Sequence, residues 1–197
     1  MCGRYLITGD EGIEEMEAII REAEKNLGGL TLKQGEIFPT NCAPIVSRVN
    51  GKTVISAMRW GFSLGAKSVI NAKSETVEEK SMFAAHFRDS RCVVPATGFY
   101  EWAHANGKPT GKYLFNEPGS RMLYMAGIAS RNRVIGAGER ADSFVILTRA
   151  ANSSISDVHD RMPVILRKDE LIRYMSSRDE AMKLIERDSI ELSRQVA

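Results

Sequence analysis

Apolar residues along this chain mostly alternate with polar ones or sit in short unbroken runs, and reach helical spacing in only a few places. Residues 3–8 read as a short strand. Ile13, Met16, Ile20, Ala23 and Leu27 then recur every three or four positions, which predicts an amphipathic helix with Asp10 as its cap. Gly28-Gly29 is its expected stop. APIVSRV and KTVISAMRW flank Asn50-Gly51, and that pair suits the type I′ turn, whose two centres need positive φ, so a hairpin is predicted. Thr76 and Glu79 have the spacing of a capping box, which predicts a helix running to about His86. RCVVPATGFYEW, KYLFN, RMLYMAGIAS, DSFVILT and MPVIL read as further strands, and KDELIRYMS and RDEAMKLIERD as helices near the end. Links between strands are mostly too short for βαβ crossovers. The pattern predicts an α+β fold: a single domain over residues 1–197, with a largely antiparallel β-sheet or open barrel and peripheral helices, the terminal ones within 167–190.

Composition adds little to this picture but excludes several classes. Of 197 residues, 43% are hydrophobic and 26% charged, ordinary values for a globular protein. No apolar run approaches the ~20 residues needed to cross a bilayer. MCGRYLITGDEGIEEMEA turns acidic where a signal peptide would be apolar, so a cytoplasmic protein is expected. Three cysteines (Cys2, Cys42 and Cys92) and three histidines (His86, His104 and His159) show neither a disulfide framework nor zinc-like spacing. No metal and no cofactor are expected. Net charge is +2, with an acidic stretch over 10–25, a balanced end from Arg167 onward, and a mild cationic excess over Met1–Thr8 and Gly51–Arg161. Such an excess suits a phosphate backbone or an ordinary solvated surface.

Position gives Cys2 its chemical interest. Aminopeptidases that remove initiator methionine accept a small second residue, so the mature chain is expected to begin with Cys2. An α-amine of pKa ~7.7–8.0 and a thiol of ~8.5 would then sit on neighbouring carbons, both partly nucleophilic near neutrality. Facing an aldehyde, the amine can form an imine and the thiol can close a thiazolidine ring. The plainer alternative is a small buried apolar residue. Three further segments bear on the choice. Glu101 follows a Gly-Phe-Tyr bend and precedes Trp102, a setting that raises a carboxyl pKa and suits a proton carrier, or else an edge-strand surface glutamate. His159, Asp160 and Arg161 form a polar knot before an apolar strand, fit for acid–base work and a phosphate, or for a fixed turn. Asn71 in INAKSET can orient a reacting oxygen or serve a helix start.

The ordered motifs MCGRY, RWGF, NAKSET, RCVVPATGFYEW and HDRMPVIL, spanning residues 1–166, resemble the SRAP family of SOS response-associated peptidases or abasic-site-processing proteins. The resemblance implies a mature N-terminal cysteine that forms a thiazolidine crosslink with the open-ring aldehyde of an abasic site in single-stranded DNA. Carried over by motif, Cys2 is the nucleophile and Asn71 positions the amine or the open sugar. Glu101 shuttles protons near the amine, and His159 is the acid/base acting on the deoxyribose oxygen. Arg4 and Arg161 would hold phosphates, Trp60 would stack on a base or else sit in the core, and Pro39 and Thr40 would line the same cleft. The implied partner is single-stranded DNA containing abasic sites, with a monomeric, nucleoid-associated protein and no membrane. Lyase activity and self-removal of Met1 are implied as well.

Three departures from the family pattern matter. Lys73 stands where the family commonly has arginine and lacks the bidentate fork. GFSLGAKSV carries no second tryptophan after Trp60-Gly61. Phe38 replaces a small residue before Pro39-Thr40. Two rival readings follow from the same residues: a thiol peptidase or autopeptidase using Cys2, and a non-catalytic single-strand-binding module.

Overall fold

The computed structural model describes residues 2–8, 13–135 and 139–197, and for 132–135, 139 and 140 the main chain alone. Strand β1 (Tyr5–Ile7) precedes helix α1 (Glu14–Lys25), and β2 (Gly35–Ile37) leads into the hairpin of β3 (Cys42–Val49) and β4 (Lys52–Trp60). Asn50 and Gly51 join this hairpin with φ of 50° and 76°, the positive pair that the type I′ turn requires. Next come β5 (Phe62–Leu64), β6 (Lys67–Val69), β7 (Asn71–Lys73) and helix α2 (Ser81–Asp89). They are followed by β8 (Arg91–Ala96), β9 (Gly98–Ala105), β10 (Lys108–Asn116), β11 (Leu123–Ile135) and β12 (Glu139–Ala150). The chain finishes with β13 (Arg161–Pro163), β14 (Ile165–Leu166), α3 (Leu171–Ser176), α4 (Arg178–Glu186) and β15 (Ser193–Val196).

The fold is α+β, and among the described residues all but two of the pairings between these strands are antiparallel. β12 pairs with β4, β4 with β3, β3 with β8, β8 with β11, and β11 with β12 again, so these strands close a small barrel. The closing contact is short and parallel, Ser143 to Arg59 and Phe144 to Trp60, and the Gly61 N–H donates to the Phe144 carbonyl at 2.7 Å. A second sheet, ordered β15-β10-β9-β1-β2, lies beside the barrel. Helix α1 packs on β4 through Met16, Ile19, Ile20 and Ala23, as its periodicity predicts. Each such side chain contributes about 1.5–3 kcal/mol of transfer free energy, an upper bound for an unfolded chain that is already partly collapsed. The proposed cap at Asp10 lies outside the described residues.

Four expectations about the elements need correction. RCVVPATGFYEW is two strands in two different sheets, not one run: the chain passes from β8 in the barrel to β9 at Thr97, whose N–H and hydroxyl both donate to the Leu6 carbonyl. Gly98 follows because a Cβ there would lie 2.8 Å from the Phe115 carbonyl oxygen. MPVIL is likewise divided, its halves pairing with β12 and β11. The capping box at Thr76 and Glu79 does not form. The main-chain N–H groups of Glu79 and Lys80 both donate to the Thr76 carbonyl, closing a turn, and the helix starts only at Ser81. Finally, the terminal helices form as expected, at Leu171–Ser176 and Arg178–Glu186, but a strand not expected follows them: Ser193–Val196 pairs with β10 as an edge strand.

Arg91, inside the longest motif, is a structural residue. Its buried guanidinium donates to the carbonyls of Phe87 and Arg88 at the end of α2 and of Tyr174 in α3. Helix C-termini present carbonyls with no helical partner and a partial negative charge, so they can hold a cation without a carboxylate.

Candidate functional site

The start of β1 lies where the second sheet meets the barrel. Tyr5 pairs with Phe99, and the Tyr100 N–H donates to the Arg4 carbonyl at 2.9 Å, so residues 2–4 run beside the stretch Tyr100–Trp102. From the barrel side, β7 lies parallel to β12 and brings Asn71 to the same place. Its Nδ2 donates to the Cys2 carbonyl at 2.9 Å, across 69 positions of sequence. Cys2 is fully buried, and its Sγ–H reaches the Arg4 carbonyl at 3.9 Å. Burial, then the charge of Glu101, pushes the thiol far above its ordinary pKa, so it is protonated at neutral pH.

Glu101 is only 3% exposed, and burial raises its carboxyl above the usual carboxylate range, with Asp160 adding to the rise. A carboxyl so placed holds its proton to higher pH than an exposed one, which suits a proton carrier. His159 moves the other way: burial lowers its imidazole, partly offset by Asp160. Its Nδ1 lies 3.0 Å from the Arg161 N–H and 2.8 Å from an Asp160 oxygen. The main-chain N–H needs Nδ1 as an acceptor, whereas the carboxylate needs it protonated. With burial favouring the neutral ring, Nδ1 accepts from Arg161 and Nε2 carries the proton. Glu101 and His159, together with Gly3, Arg4, Trp102, His104 and Pro109, line a cavity of about 440 Å³. Gly3 forms part of its wall, next in the chain to Cys2.

Not every residue carried over by motif lies in that cavity. Arg161 is held by both oxygens of Glu75, at 2.6 and 2.8 Å, and by the Thr148 carbonyl. The same contact pulls the Glu75 carboxyl down to about 2. Lys73 is exposed, two residues along β7 from Asn71. Pro39 and Thr40 form a turn closed by the Asn41 N–H on the Phe38 carbonyl at 3.0 Å, and the Thr40 N–H donates to the Trp60 carbonyl. Thr40 has φ of 74°, a left-handed conformation that costs a β-branched residue about 1–3 kcal/mol and that these bonds enforce. Trp60 takes the core role of its two possible roles. It is fully buried between Tyr5 and Phe144, with Nε1 donating to the Ile70 carbonyl at 3.0 Å, which leaves no ring face for a base.

Sequence reasoning named Trp102 only as a neighbour of Glu101 and gave no role to His104, Lys112 or Glu36. Strand period alone places Tyr100, Trp102 and His104 on one face of β9, opposite the face of Glu101. A second Asn-Gly pair, Asn106-Gly107, joins β9 to β10 with φ of 53° and 73°, the same turn signal as Asn50-Gly51. Together these place the Lys112 strand directly beside Trp102. His104 Nδ1 donates to the Trp102 carbonyl at 2.9 Å. Among the described residues no cluster of three or more His, Cys, Asp or Glu could hold a metal ion, and no helix is long and apolar enough to cross a membrane.

Comparison with known proteins places this arrangement in context. A family model described as SOS response associated peptidase (SRAP) matches residues 1–194. The abasic site processing protein YoqW of Bacillus subtilis is 31% identical over 180 residues, covering 84% of this chain and 76% of YoqW. The abasic site processing protein HMCES of Xenopus tropicalis is 31% identical over 151 residues, 63% of this chain but only 45% of HMCES, so the chain spans less than half of that relative. A crystal structure of a Bordetella bronchiseptica protein superposes with a TM-score of 0.79 at 21% identity, covering 100% of this chain and 99% of the other. One from Bacteroides thetaiotaomicron gives 0.74 at 22%, covering 99% and 91%. At these identities the two structures bear on the fold alone.

Proposed function

The chain belongs to the SOS response-associated peptidase family, and from that premise we propose that it processes abasic sites in single-stranded DNA by forming a covalent thiazolidine crosslink through Cys2. The observation that carries this reading is the convergence of Asn71 and Glu101 on the first residues of the chain. The Asn71 amide holds the Cys2 carbonyl, and Glu101 is close enough to perturb the Cys2 thiol. An internal structural cysteine needs neither. A chain that must present both its nitrogen and its sulfur to one carbon atom needs its first residue clamped by the main chain, and the Asn71 bond does that while leaving both reacting atoms unengaged by the amide.

The chemistry follows from what each group can exchange. While Met1 is attached, the Cys2 nitrogen is an amide and cannot form an imine. Once Met1 is removed, the free amine adds to the C1′ aldehyde of the ring-opened deoxyribose. His159, neutral at physiological pH, is placed to exchange the proton that opens the sugar hemiacetal. Glu101 then delivers a proton to the carbinolamine hydroxyl, water leaves, and a C=N bond forms. The thiol adds across that bond: sulfur bonds to carbon, the thiol proton passes by way of Glu101 to nitrogen, and the ring closes. One water is lost overall. Burial that makes the thiolate costly does not penalise the neutral ring, and exclusion of water slows its hydrolysis. The imine is also the species from which strand-cleaving lyase chemistry would start. Arg4, Lys73 and Arg161 supply positive charge along the strand, Pro39 and Thr40 border its path, and Arg161 must exchange Glu75 for phosphate to take part.

The peptidase reading needs a thiolate nucleophile, and the surroundings of Cys2 push the other way. A plain binding module has no use for a proton carrier buried beside an amino-terminal thiol. Intact mass decides among them. The protein lacking Met1, incubated with an abasic single-stranded oligonucleotide, is expected to gain the mass of the oligonucleotide minus one water, and Cys2→Ala to gain nothing. A Cys2→Ala protein that still forms the full adduct would falsify the mechanism.

A further inference from the structure

Around Arg4, beside the cavity, lies a cluster of side chains to which this chemistry gives no role. Arg4 lays its guanidinium over the Phe38 ring at 3.8 Å from the centroid, with Trp102 at 5.2 Å. Lys112 lies 4.0 Å over Tyr100 and 5.7 Å from the same Trp102. Both cations reach one oxygen of Glu36, Lys112 at 2.8 Å and Arg4 at 3.2 Å, so two positive charges share a single negative one. The group therefore keeps a net positive charge. The buried Nε–H of Arg4 has no acceptor among the described residues. Phe38 remains 40% exposed even with a guanidinium on its ring, so part of its aromatic surface stays open to solvent. The strained Thr40 turn, tied to the main chain of Trp60, holds it there.

We propose that Phe38, Arg4, Trp102 and Lys112 form a subsite for the single-stranded nucleotide next to the lesion, its base against the Phe38 ring and its phosphate on Lys112 and Arg4. The proposal rests on the abasic-strand reading and adds two residues, Phe38 and Lys112, that no motif assigned. Arg4 is two residues along an extended strand from Cys2, roughly 7 Å, within reach of the neighbouring nucleotide. Trp60 is sealed in the core, so the exposed aromatic surface on this side of the cavity comes from Phe38 and Trp102. Glu36 holds the two cations in register without neutralising both, and a phosphate arriving on their outer N–H groups meets a preset pair. An unpaired base can stack on an exposed ring whatever its identity, so the subsite favours single strands and tolerates sequence.

The test measures binding of an intact thymidine strand by fluorescence anisotropy over a range of salt, so that no crosslink intervenes. Phe38→Ala is expected to weaken binding at least about fivefold with the salt slope unchanged, and Phe38→Trp to restore it. Lys112→Gln is expected to reduce the slope of log K against log salt by about 0.7, and Lys112→Arg to restore it. Thermal melts establish that each variant is folded. Affinity and slope equal to wild type in both Phe38→Ala and Lys112→Gln overturn the subsite. The abasic reading is judged separately, by whether the wild-type protein forms the adduct one water short of the sum. Its failure leaves the anisotropy result to stand for or against the subsite by itself.

Discussion

Cys2, just before β1, and Cys92, in β8, are both fully buried, and burial holds both thiols protonated. By exposure and acidity alone they are the same kind of residue. Their neighbours separate them. Around Cys2 are a carboxyl raised by its own burial, an amide clamping the main chain, and a cavity that begins at the next residue. Around Cys92 the sulfur and a Val94 methyl both press toward the space beside the Gly127 Cα, in the barrel wall. Burial makes a thiol inert in either place. The crosslink proposed for Cys2 requires that the fold supply, within reach, the proton exchange and orientation that burial has removed from the thiol itself.

The largest effect that distinguishes the two is therefore covalent. Cys2→Ala is expected to abolish the adduct with abasic single strands, at a stability cost of the same order as at Cys92 because both thiols are fully buried. Cys92→Ala is expected to keep the adduct but lose about 1 kcal/mol of stability, from a small cavity in a packed wall. Intact mass and a denaturant melt measure both. If Cys92→Ala abolished the adduct while remaining folded, the distinction drawn from their neighbours would be wrong.

A smaller effect, with a sign that can be worked out, belongs to Glu101. Its folded pKa is raised above the unfolded value, so the stability linked to its proton is fully present below the unfolded pKa and is lost as pH rises through the folded one. At neutral pH the residue is a net burden on the fold. Glu101→Gln keeps the shape and removes the titration. Its melting midpoint should exceed that of wild type at neutral pH, with the difference shrinking as pH falls toward 4.5. The same change should slow adduct formation by about 10²–10⁴-fold, the usual contribution of a positioned acid–base group. A variant that is both less stable and equally fast would return Glu101 to a structural role.

These contrasts bear on how much of the molecule its sequence makes legible. Period and turn chemistry sufficed for the α+β class, for α1, and for the Asn50-Gly51 hairpin, because each depends on residues a few positions apart. They failed where a long-range partner decides. RCVVPATGFYEW reads as one largely apolar run, and nothing local reveals that Thr97 bonds to Leu6 and hands the chain to another sheet. Thr76 and Glu79 had the right spacing for a cap, yet a main-chain turn claimed the Thr76 carbonyl. Trp60 and Trp102 were indistinguishable as letters, and only packing shows that one is enclosed by Tyr5 and Phe144 while the other borders the cavity. Ordered motifs pointed to Asn71, Glu101 and His159 as a group, whereas Glu36, Phe38 and Lys112 come together only across strands β1, β2, β9 and β10.

The smallest effect concerns how tightly the inert thiol is held. A Cβ built on Gly127 would lie 3.0 Å from the Val145 carbonyl, 3.1 Å from the Cys92 sulfur and 3.2 Å from a Val94 methyl. Gly127→Ala should therefore destabilise, by about 1–3 kcal/mol as overpacking usually does. Removing the sulfur relieves one of the three contacts but not the backbone one, since Val145 is fixed by its pairing with Ile128. Combining Gly127→Ala with Cys92→Ala should thus cost less than the sum of the two single changes, by about 0.5 kcal/mol or more, without returning to wild type. Strict additivity in a denaturant double-mutant cycle would mean that the sulfur does not press on the wall as its position implies. The adduct yield per folded molecule should not change in any corner of that cycle, because Cys92 differs from Cys2 in having packing, and nothing else, to lose.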